Sequence, residues 1–403
     1  MKKPNRDFFE HNRNSVAGRL QGGLLVIAGY TGMQLTNDEA VPFRQEATFW
    51  WLSGIEFADW WLIIDAGRKK SWLVEPEIDD RHRLFEESLQ REAAIERSGV
   101  DDVLSRDDAK TMLRQRAKAH PLVYTVGYPD HHDHFGFTLN PAPREMKELL
   151  ARTFKSVRDF RLDITKLRAI KQPCELEWMQ AAIDLTAKAI TDVRNDLAKY
   201  QHEYQIEADL THAFRYGGAD GHAFEPIVSS GAGTATVHYF TKQRIRKGTP
   251  LMLDIGARVH NYAADITRTM AAGKPTKRLN EIHAAVQSVQ KDIIHLLRPG
   301  LGVGEYQQKV DAIIKAKLVE LRLMNEGDDD RYRQLMPHAI SHGLGIDVHE
   351  ALGRPQHFQP GMVLTVEPGI YLPDEKLGVR IEDDILITKT GHKNLSAKLP
   401  SDL

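Results

Sequence analysis

Hydrophobic positions in the first 160 residues change repeatedly between helical spacing and short apolar runs. Residues 7–21 have the spacing of an amphipathic helix. Four segments are short apolar or aromatic runs typical of strands: residues 24–28, 50–55, 60–65 and 71–74. Helical and strand patterns then alternate to about residue 160. This alternation predicts a complete α/β domain.

A different order of elements follows a connection at residues 162–173. Residues 175–200 carry apolar side chains at helical spacing and predict a long helix. The later patterns run helix, strand, strand, helix, helix, strand, strand, so that strands and helices come in groups. The predicted fold class is therefore α+β, with a smaller α/β domain at residues 1–160 and a second domain at residues 161–403.

Composition and charge narrow the class of protein. A net charge of -2 argues against an electrostatic partner such as nucleic acid or an anionic membrane. The N-terminus has no signal-peptide pattern, and no run of about 18 apolar residues predicts a transmembrane helix. Cys174 is the single cysteine, which excludes an intrachain disulfide and fits a reducing cytoplasm. We expect a cytoplasmic protein in which Cys174 is incidental.

Potential metal ligands recur in the last 150 residues, each in a distinct local setting. They are Asp254, Asp265, His342, Glu367 and Glu382. Four carboxylates and one imidazole do not suit a structural zinc, which takes four ligands, mostly thiolate and imidazole. They suit two hard or borderline divalent ions that share bridging carboxylates. This set of donors indicates a hydrolase.

The strand patterns suggest how these donors converge. Residues 251–256 and 263–270 predict a hairpin that places Asp254 and Asp265 opposite or diagonal to each other on one face. Two like charges on neighbouring strands are unfavourable without a cation between them. With 18 histidines and 56 acidic residues in the chain, the number of ligands alone is weak evidence. Their occurrence together, inside strands that have buried patterns, is stronger.

Two further segments bring polar groups to the same cleft. Residues 378–388 predict a strand in which alternation places Arg380 and Glu382 on one face. His342 and His349 flank a Gly-Leu-Gly segment, where the missing side chains allow close approach of the backbone.

Five strings carry a resemblance to a known family: Leu-Asp-Ile-Gly, Ala-Asp-Ile-Thr-Arg-Thr, Ser-His-Gly-Leu-Gly-Ile-Asp-Val-His-Glu, Thr-Val-Glu-Pro-Gly-Ile-Tyr and Val-Arg-Ile-Glu-Asp-Asp. Together they resemble the pita-bread metallopeptidases, which include methionine aminopeptidase, aminopeptidase P and prolidase. Residues 43–54 resemble the extra N-terminal domain of the proline-specific branch. The resemblance implies a C-terminal pita-bread domain and cleavage of Xaa-Pro bonds in peptides with proline at the second position.

The resemblance also implies roles for individual residues. Asp265 and Glu382 would bridge two divalent ions, usually Mn²⁺, with Zn²⁺ or Co²⁺ as alternatives. Asp254 would complete the shell of one ion, and His342 with Glu367 that of the other. A hydroxide bridging the ions would attack the scissile carbonyl, and Glu367 would pass the proton to the leaving nitrogen. Substrate-facing roles would fall to His238, His349 and Arg380, with Tyr371 lining the cleft.

Several alternatives remain open at this stage. The segment after Glu382 resembles aminopeptidase P, whereas the moderate length and the short loop between Tyr371 and Gly378 would also suit a dipeptidase. A non-catalytic binding protein and a metal-free creatinase-type hydrolase are less favoured, because all five ligands are present. The family often has an aromatic residue where this chain has Gly343, and Asp where it has Glu350, and both positions lie beside the expected site.

Assembly and one histidine cluster are the last expectations. Family members are commonly oligomers, so we expect a homodimer or homotetramer. The pairs Trp50-Trp51 and Trp60-Trp61 are expected mainly in the core, but in strands one member of each pair would face outward and could meet another subunit. The cluster of His131, His132 and His134 predicts a polar loop rather than a second metal site, with a subunit or cleft-rim contact as the alternative.

Overall fold

The computed structural model describes residues 2–79, 84–129 and 136–403. They form two compact units, Lys2–Leu167 and Arg168–Leu403. The cluster of His131, His132 and His134 lies outside the described residues.

The first unit contains a mixed sheet with helices. Its helices in the described residues are Arg6–Arg19 (α1), Ala47–Ser53 (α2), Arg91–Ser98 (α3), Arg106–Ala119 (α4), Ala142–Ala151 (α5) and Arg161–Arg168 (α6), the last of which ends in the second unit. Its strands are Leu24–Ala28 (β1), Trp61–Asp65 (β2), Lys70–Val74 (β3), Asp102–Leu104 (β4), Leu122–Thr125 (β5) and Ser156–Asp159 (β6). The strand order is β4-β3-β2-β1-β5-β6.

Strand β1 lies in the interior of this sheet, and all five of its residues are buried. It pairs antiparallel with β2 and parallel with β5. Its side chain Val26 shares a core cluster with Leu113 of α4 and Met146 of α5. A continuous apolar run is typical of a strand covered on both faces, so the predicted α/β domain is confirmed.

The strand predicted at residues 50–55 is wrong, because the segment is helix α2. Glu46 accepts a hydrogen bond from the Phe49 N–H at 2.6 Å and caps the first turn. Gly54 ends the helix with φ 69°, a left-handed conformation that favours glycine. The aromatic side chains favour a strand locally, but both end signals and burial of the whole segment favour the helix.

The tryptophan pairs are consequently placed differently from the prediction. Trp50 and Trp51 are both buried in α2, so neither faces outward. Trp60 is buried as well, whereas Trp61 is half-buried and lies under the guanidinium of Arg106, whose central carbon is 3.6 Å from the ring centre. The expectation that these residues belong mainly to the core is confirmed, and an outward-facing member is absent from the Trp50-Trp51 pair.

The second unit combines small antiparallel sheets with long helices. Its helices in the described residues are Pro173–Asn195 (α7), Glu203–Tyr216 (α8), Lys277–Leu296 (α9), Val303–Glu320 (α10) and Asp329–Leu335 (α11). Its strands are Gly221–His222 (β7), Ile227–Ser230 (β8), Pro250–Ile255 (β9), Ala257–Val259 (β10), Tyr262–Ala263 (β11), Ile266–Ala271 (β12), Val363–Val366 (β13), Gly369–Leu372 (β14), Leu377–Arg380 (β15), Asp383–Ile387 (β16) and His392–Asn394 (β17). Short 3₁₀ turns lie at Leu197–Lys199, Gly231–Ala235 and Pro373–Glu375.

The sheets of this unit have the orders β11-β10-β7, β12-β9-β8, β13-β16-β17 and β14-β15. Helices α9 and α10 pack against them through a core that includes Ile282, Ile314 and Val379. Strands and helices therefore come in groups, and the predicted α+β class is confirmed. Across the described residues, no helix is both long and apolar enough to cross a membrane.

The predicted hairpin around Asp254 is present, with Thr267 directly opposite Asp254 and Asp265 at the diagonal position. The single strand predicted at residues 378–388 is wrong. It divides into β15, which pairs with β14, and β16, which pairs with β13. Glu382 lies in the break between them, where its backbone N–H donates to the Thr267 carbonyl at 3.1 Å.

Candidate metal centre

Three carboxylates from different strand segments converge in the second unit. Asp254 is the fifth residue of β9, Asp265 directly precedes β12, and Glu382 lies between β15 and β16. One oxygen from each lies within 4.8 Å of the others. All three residues are buried, at 8 %, 5 % and 2 % exposure. The hairpin and the break between β15 and β16 together place the negative charges at one point.

This crowding shifts the acidity of the cluster. Burial, then the charges of Glu382 and Asp254, raise the pKa of Asp265 well above its usual range. Burial and the charge of Glu367 do the same to the pKa of Glu382. Asp254 Oδ1 is buried and has no hydrogen-bond partner among the residues that the structure describes. An unpaired buried oxygen beside crowded carboxylates fits a divalent cation, which would satisfy it and offset the charge.

His342 and Glu367 extend the cluster on the Glu382 side. One ligand atom from each of these three residues lies within 4.8 Å of the others. The His342 Nδ1 is 3.0 Å from the Gly343 carbonyl, which can only accept, so Nδ1 carries the proton. The lone pair of Nε2 then faces Glu367 at 3.4 Å and Asp265 at 3.6 Å. Burial lowers the pKa of His342 to about 4, which keeps the ring neutral, as a metal ligand must be.

Glu367, the fifth predicted ligand, also has a shifted pKa. Burial raises the pKa of Glu367 to about 8, although the charge of Arg380 opposes the shift. The structure thus brings together all five predicted ligands, from five separate segments of chain. Because they divide into two groups that share Glu382, the donor set fits a pair of ions with a shared carboxylate.

Arg380 lies inside this cluster, buried at 2 % exposure. Its Nη2 donates to Asp254 Oδ2 and its Nε donates to Thr267 Oγ1 at 3.1 Å. Thr267 in turn donates to Glu382 Oε2 at 2.6 Å. Arg380 therefore contacts Asp254 directly and Glu382 through Thr267, although Arg380 and Glu382 do not share one strand as predicted.

His338 is a site residue that the sequence analysis missed. Its Nε2 lies 2.7 Å from the Tyr371 hydroxyl, which also accepts from Arg380 Nη1 at 2.6 Å. Its Nδ1 lies 2.8 Å from the Ala339 carbonyl, and burial, followed by the charge of Arg380, lowers its pKa to about 4. The neutral ring thus accepts from Tyr371. The signal available in the sequence was its spacing of four residues from His342.

His349 and His238 lie on the solvent side of the centre. His349 is exposed, and its ring centre is 4.3 Å from that of His342. It also belongs to a third group of potential ligands with Asp265 and His342. Partial burial and the nearby His238 lower the pKa of His349. His349 therefore borders the cluster, and the exposed His238 lies close enough to His349 to affect its pKa.

Glu203 anchors the segment that carries His238, and the sequence analysis missed this contact too. Its carboxylate, at 0 % exposure, accepts from the N–H of Ser230 at 2.6 Å and of Gln243 at 2.7 Å. The hydroxyls of Ser230 and Tyr239 donate to it at 2.7 and 3.0 Å. Four donors from both ends of residues 230–243 thus hold this loop to the start of α8.

Cys174 does not contribute to the centre. It lies near the start of α7, and burial, together with Glu175, raises the pKa of its thiol. A raised thiol pKa disfavours the reactive thiolate.

Comparison with known proteins agrees with this geometry. The metallopeptidase family M24 matches residues 177–389, and the aminopeptidase P N-terminal domain matches residues 9–124. The chain belongs to metallopeptidase family M24, and its architecture is an N-terminal aminopeptidase P domain followed by a pita-bread domain. It is therefore a hydrolase that depends on divalent metal ions.

Individual proteins and solved structures are also similar to this chain. The sequence is 31% identical over 431 residues to the Xaa-Pro aminopeptidase of Haemophilus influenzae, covering 100% of this chain and 97% of that protein. Zn-substituted Escherichia coli aminopeptidase P in complex with product has a TM-score of 0.86 at 27% identity, covering 100% of this chain and 97% of that chain. The Xaa-Pro dipeptidase of Pyrococcus horikoshii is 32% identical over 256 residues, covering 62% of this chain and 68% of that protein.

Proposed function

We propose that the protein is an Xaa-Pro aminopeptidase, which hydrolyses the bond between the first residue of a peptide and a proline at the second position. The observation that carries this proposal is the presence, in one chain, of the five-ligand cluster and an aminopeptidase P N-terminal domain. The similarity to the H. influenzae enzyme extends over both domains.

Two divalent ions held by Asp254, Asp265, His342, Glu367 and Glu382 would lower the pKa of a bound water and polarise the scissile carbonyl. Asp265 and Glu382 are the proposed bridging ligands. Glu367 would accept a proton from the water and pass it to the proline nitrogen. Burial raises the pKa of Glu367 to about 8, which brings the change in its protonation close to neutral pH.

His349 and His238 would contact the substrate. His349 is exposed beside His342 and can donate to the scissile carbonyl as negative charge develops on it. His238, on the loop anchored by Glu203, would also contact the peptide. Arg380 and Tyr371 would hold the carboxylates and His338 in place rather than take part in proton transfer.

Manganese is the metal that we propose for this site. Its donors are mainly carboxylate oxygens, which suit Mn²⁺, and the imidazole is compatible with Zn²⁺ or Co²⁺ as alternatives. The relative crystallised with zinc shows that a related protein accepts that ion. Activity recovered from metal-free protein with Mn²⁺, Zn²⁺ and Co²⁺ in turn would rank the three.

Restriction to dipeptides is the alternative that a specific observation favours, because the P. horikoshii dipeptidase is similar over part of this chain. The test is cleavage of an Xaa-Pro dipeptide and of an Xaa-Pro-Yaa-Zaa tetrapeptide by the Mn²⁺-loaded protein. We expect release of the first residue from the tetrapeptide. Cleavage of the dipeptide alone would assign the protein as a dipeptidase, and cleavage of neither would refute both.

We further propose that the protein is a homodimer or homotetramer. The support is the oligomeric assembly common in this family. Trp50 and Trp51 do not add to it, because both are buried within the first unit. Light scattering at micromolar concentration should give a mass of two or four chains. A monomer would refute this proposal without affecting the catalytic one.

A further inference from the structure

Glu350 closes the loop between His342 and His349. Its backbone N–H donates to the Gly343 carbonyl at 2.8 Å. Its Oε2 accepts from the N–H of Ile346 at 2.9 Å and of Asp347 at 3.4 Å. Gly343 and Gly345 leave no room for a Cβ against Glu350. The loop is therefore wrapped around this one carboxylate.

Two buried cations hold the carboxylate from the other side. Arg168 Nη2 donates to Oε2 at 2.8 Å, and Lys171 Nζ donates to Oε1 at 2.8 Å. The side chains of Arg168, Lys171 and Glu350 are only 6 %, 1 % and 4 % exposed. Burial would raise the pKa of Glu350, but the two cations hold it at about 2. The carboxylate is thus ionised at neutral pH and accepts from four donors.

We propose that Glu350 is a positioning residue: its carboxylate, clamped by Arg168 and Lys171, fixes the loop so that His349 faces the scissile bond beside His342. This inference rests on the proposed function. Glu350 is buried whereas His349 is exposed, so Glu350 acts through its contacts to the backbone of residues 343–349. The contact matters because an imidazole that stabilises a transition state must be held close to its productive position, and a shift of about 1 Å can be costly.

The four donors make the position selective for a carboxylate. A glutamine could accept from the Ile346 N–H with its oxygen, but its NH₂ group would then face the Lys171 ammonium, donor against donor. Replacing Lys171 with methionine removes that conflict. The double variant Glu350→Gln, Lys171→Met therefore restores an acceptor for the loop without the charge. Glu350→Ala, in contrast, removes the acceptor altogether.

The first experiment measures kcat, KM and metal content of the full-length protein loaded with Mn²⁺, on an Xaa-Pro tetrapeptide. Glu350→Gln should lower kcat by about 10–100-fold, as loss of a supporting contact does, with KM and two bound ions unchanged. The double variant should regain most of kcat, whereas Glu350→Ala, Lys171→Met should not. Parental kcat in Glu350→Gln, or equal losses in both double variants, would overturn the proposal.

Asp347→Asn is the matched control. Asp347 lies in the same loop and also accepts from Arg168, at 2.9 Å, but its side chain is 52 % exposed. The same chemical change should leave kcat near the parental value, because a solvated ion pair contributes little. A loss as large as that of Glu350→Gln would show a general charge effect and overturn the assignment to Glu350.

The second experiment needs no activity. Hydrogen exchange of the metal-free protein should show slow exchange for the peptide spanning residues 343–350, and faster exchange there in Glu350→Ala and in the shorter Glu350→Asp. Equal exchange in parent and variants would overturn the proposal. The two proposals fail separately: an inactive parent refutes the function, whereas an active parent with an unaffected Glu350→Gln refutes only the positioning role.

Discussion

Arg380 and Asp254 form a buried ion pair within the proposed metal-ligand cluster. Arg380 Nη2 donates to Asp254 Oδ2 across this pair. Breaking a buried pair typically destabilises a fold by about 3–5 kcal/mol. Bound divalent ions would supply the same compensation, so the need for Arg380 depends on metal.

We therefore predict that Arg380→Met lowers the Tm of the metal-free protein more than that of the Mn²⁺-loaded protein. Differential scanning calorimetry of both forms measures the two losses. Arg194→Met is the control, because Arg194 pairs with the exposed Asp402 and should shift both forms alike. Equal losses for Arg380→Met in the two forms would contradict the prediction.

Metal stoichiometry tests the cluster directly. Protein reconstituted with Mn²⁺ and desalted should retain close to two ions per chain. Asp265→Ala and Glu382→Ala should each retain less metal than Asp254→Ala, because a bridging ligand serves both ions. Elemental analysis measures the content. Full activity with a content near zero would exclude the dinuclear site.

His342 and His349 should have different effects on metal retention and on turnover. His349→Ala should lose about 10²–10³ in turnover, typical of a lost donor to the transition state, while retaining two ions. His342→Ala should lose metal as well as turnover. If His349→Ala cleaves an Xaa-Pro peptide at the parental rate, its substrate role is wrong. If it loses an ion, it is a ligand, as its position near Asp265 and His342 would also allow.

Glu367 should link metal binding to pH. Its pKa is raised from 4.5 to about 8, so in the metal-free protein the folded state binds its proton more tightly than the unfolded state. The resulting stability is present below pH 4.5 and is lost as pH rises to about 8. The Tm of the metal-free protein should fall over this range more steeply than that of Glu367→Gln, which cannot ionise.

Metal binding must displace the same proton, so Mn²⁺ affinity should rise with pH up to about 8. Titration calorimetry in buffers of different ionisation heat would count the protons released at pH 7. Glu367→Gln should release fewer. The same proton release in parent and variant would show that other carboxylates, such as Asp265, carry the linkage.

Local pattern was sufficient for much of the fold. Apolar runs and helical spacing predicted β1, β2, β3 and the long helix α7, because burial of a single face or run is a local property of the sequence. The pattern failed at α2, where the aromatic residues favour a strand. A helix forms there instead, with Glu46 capping its start and Gly54 ending it. It failed again at Glu382, where two sheets meet and the chain changes partner.

The sequence by itself determined the donors: carboxylates and an imidazole, in strings that resemble one family, are chemistry that does not depend on geometry. Only the tertiary structure decided which groups surround them. Glu203, Arg168 and Lys171 reach the loops of the site from distant segments, and no local pattern distinguishes them from other polar residues. The reason is physical, since burying charge requires partners that the fold alone brings within hydrogen-bond distance.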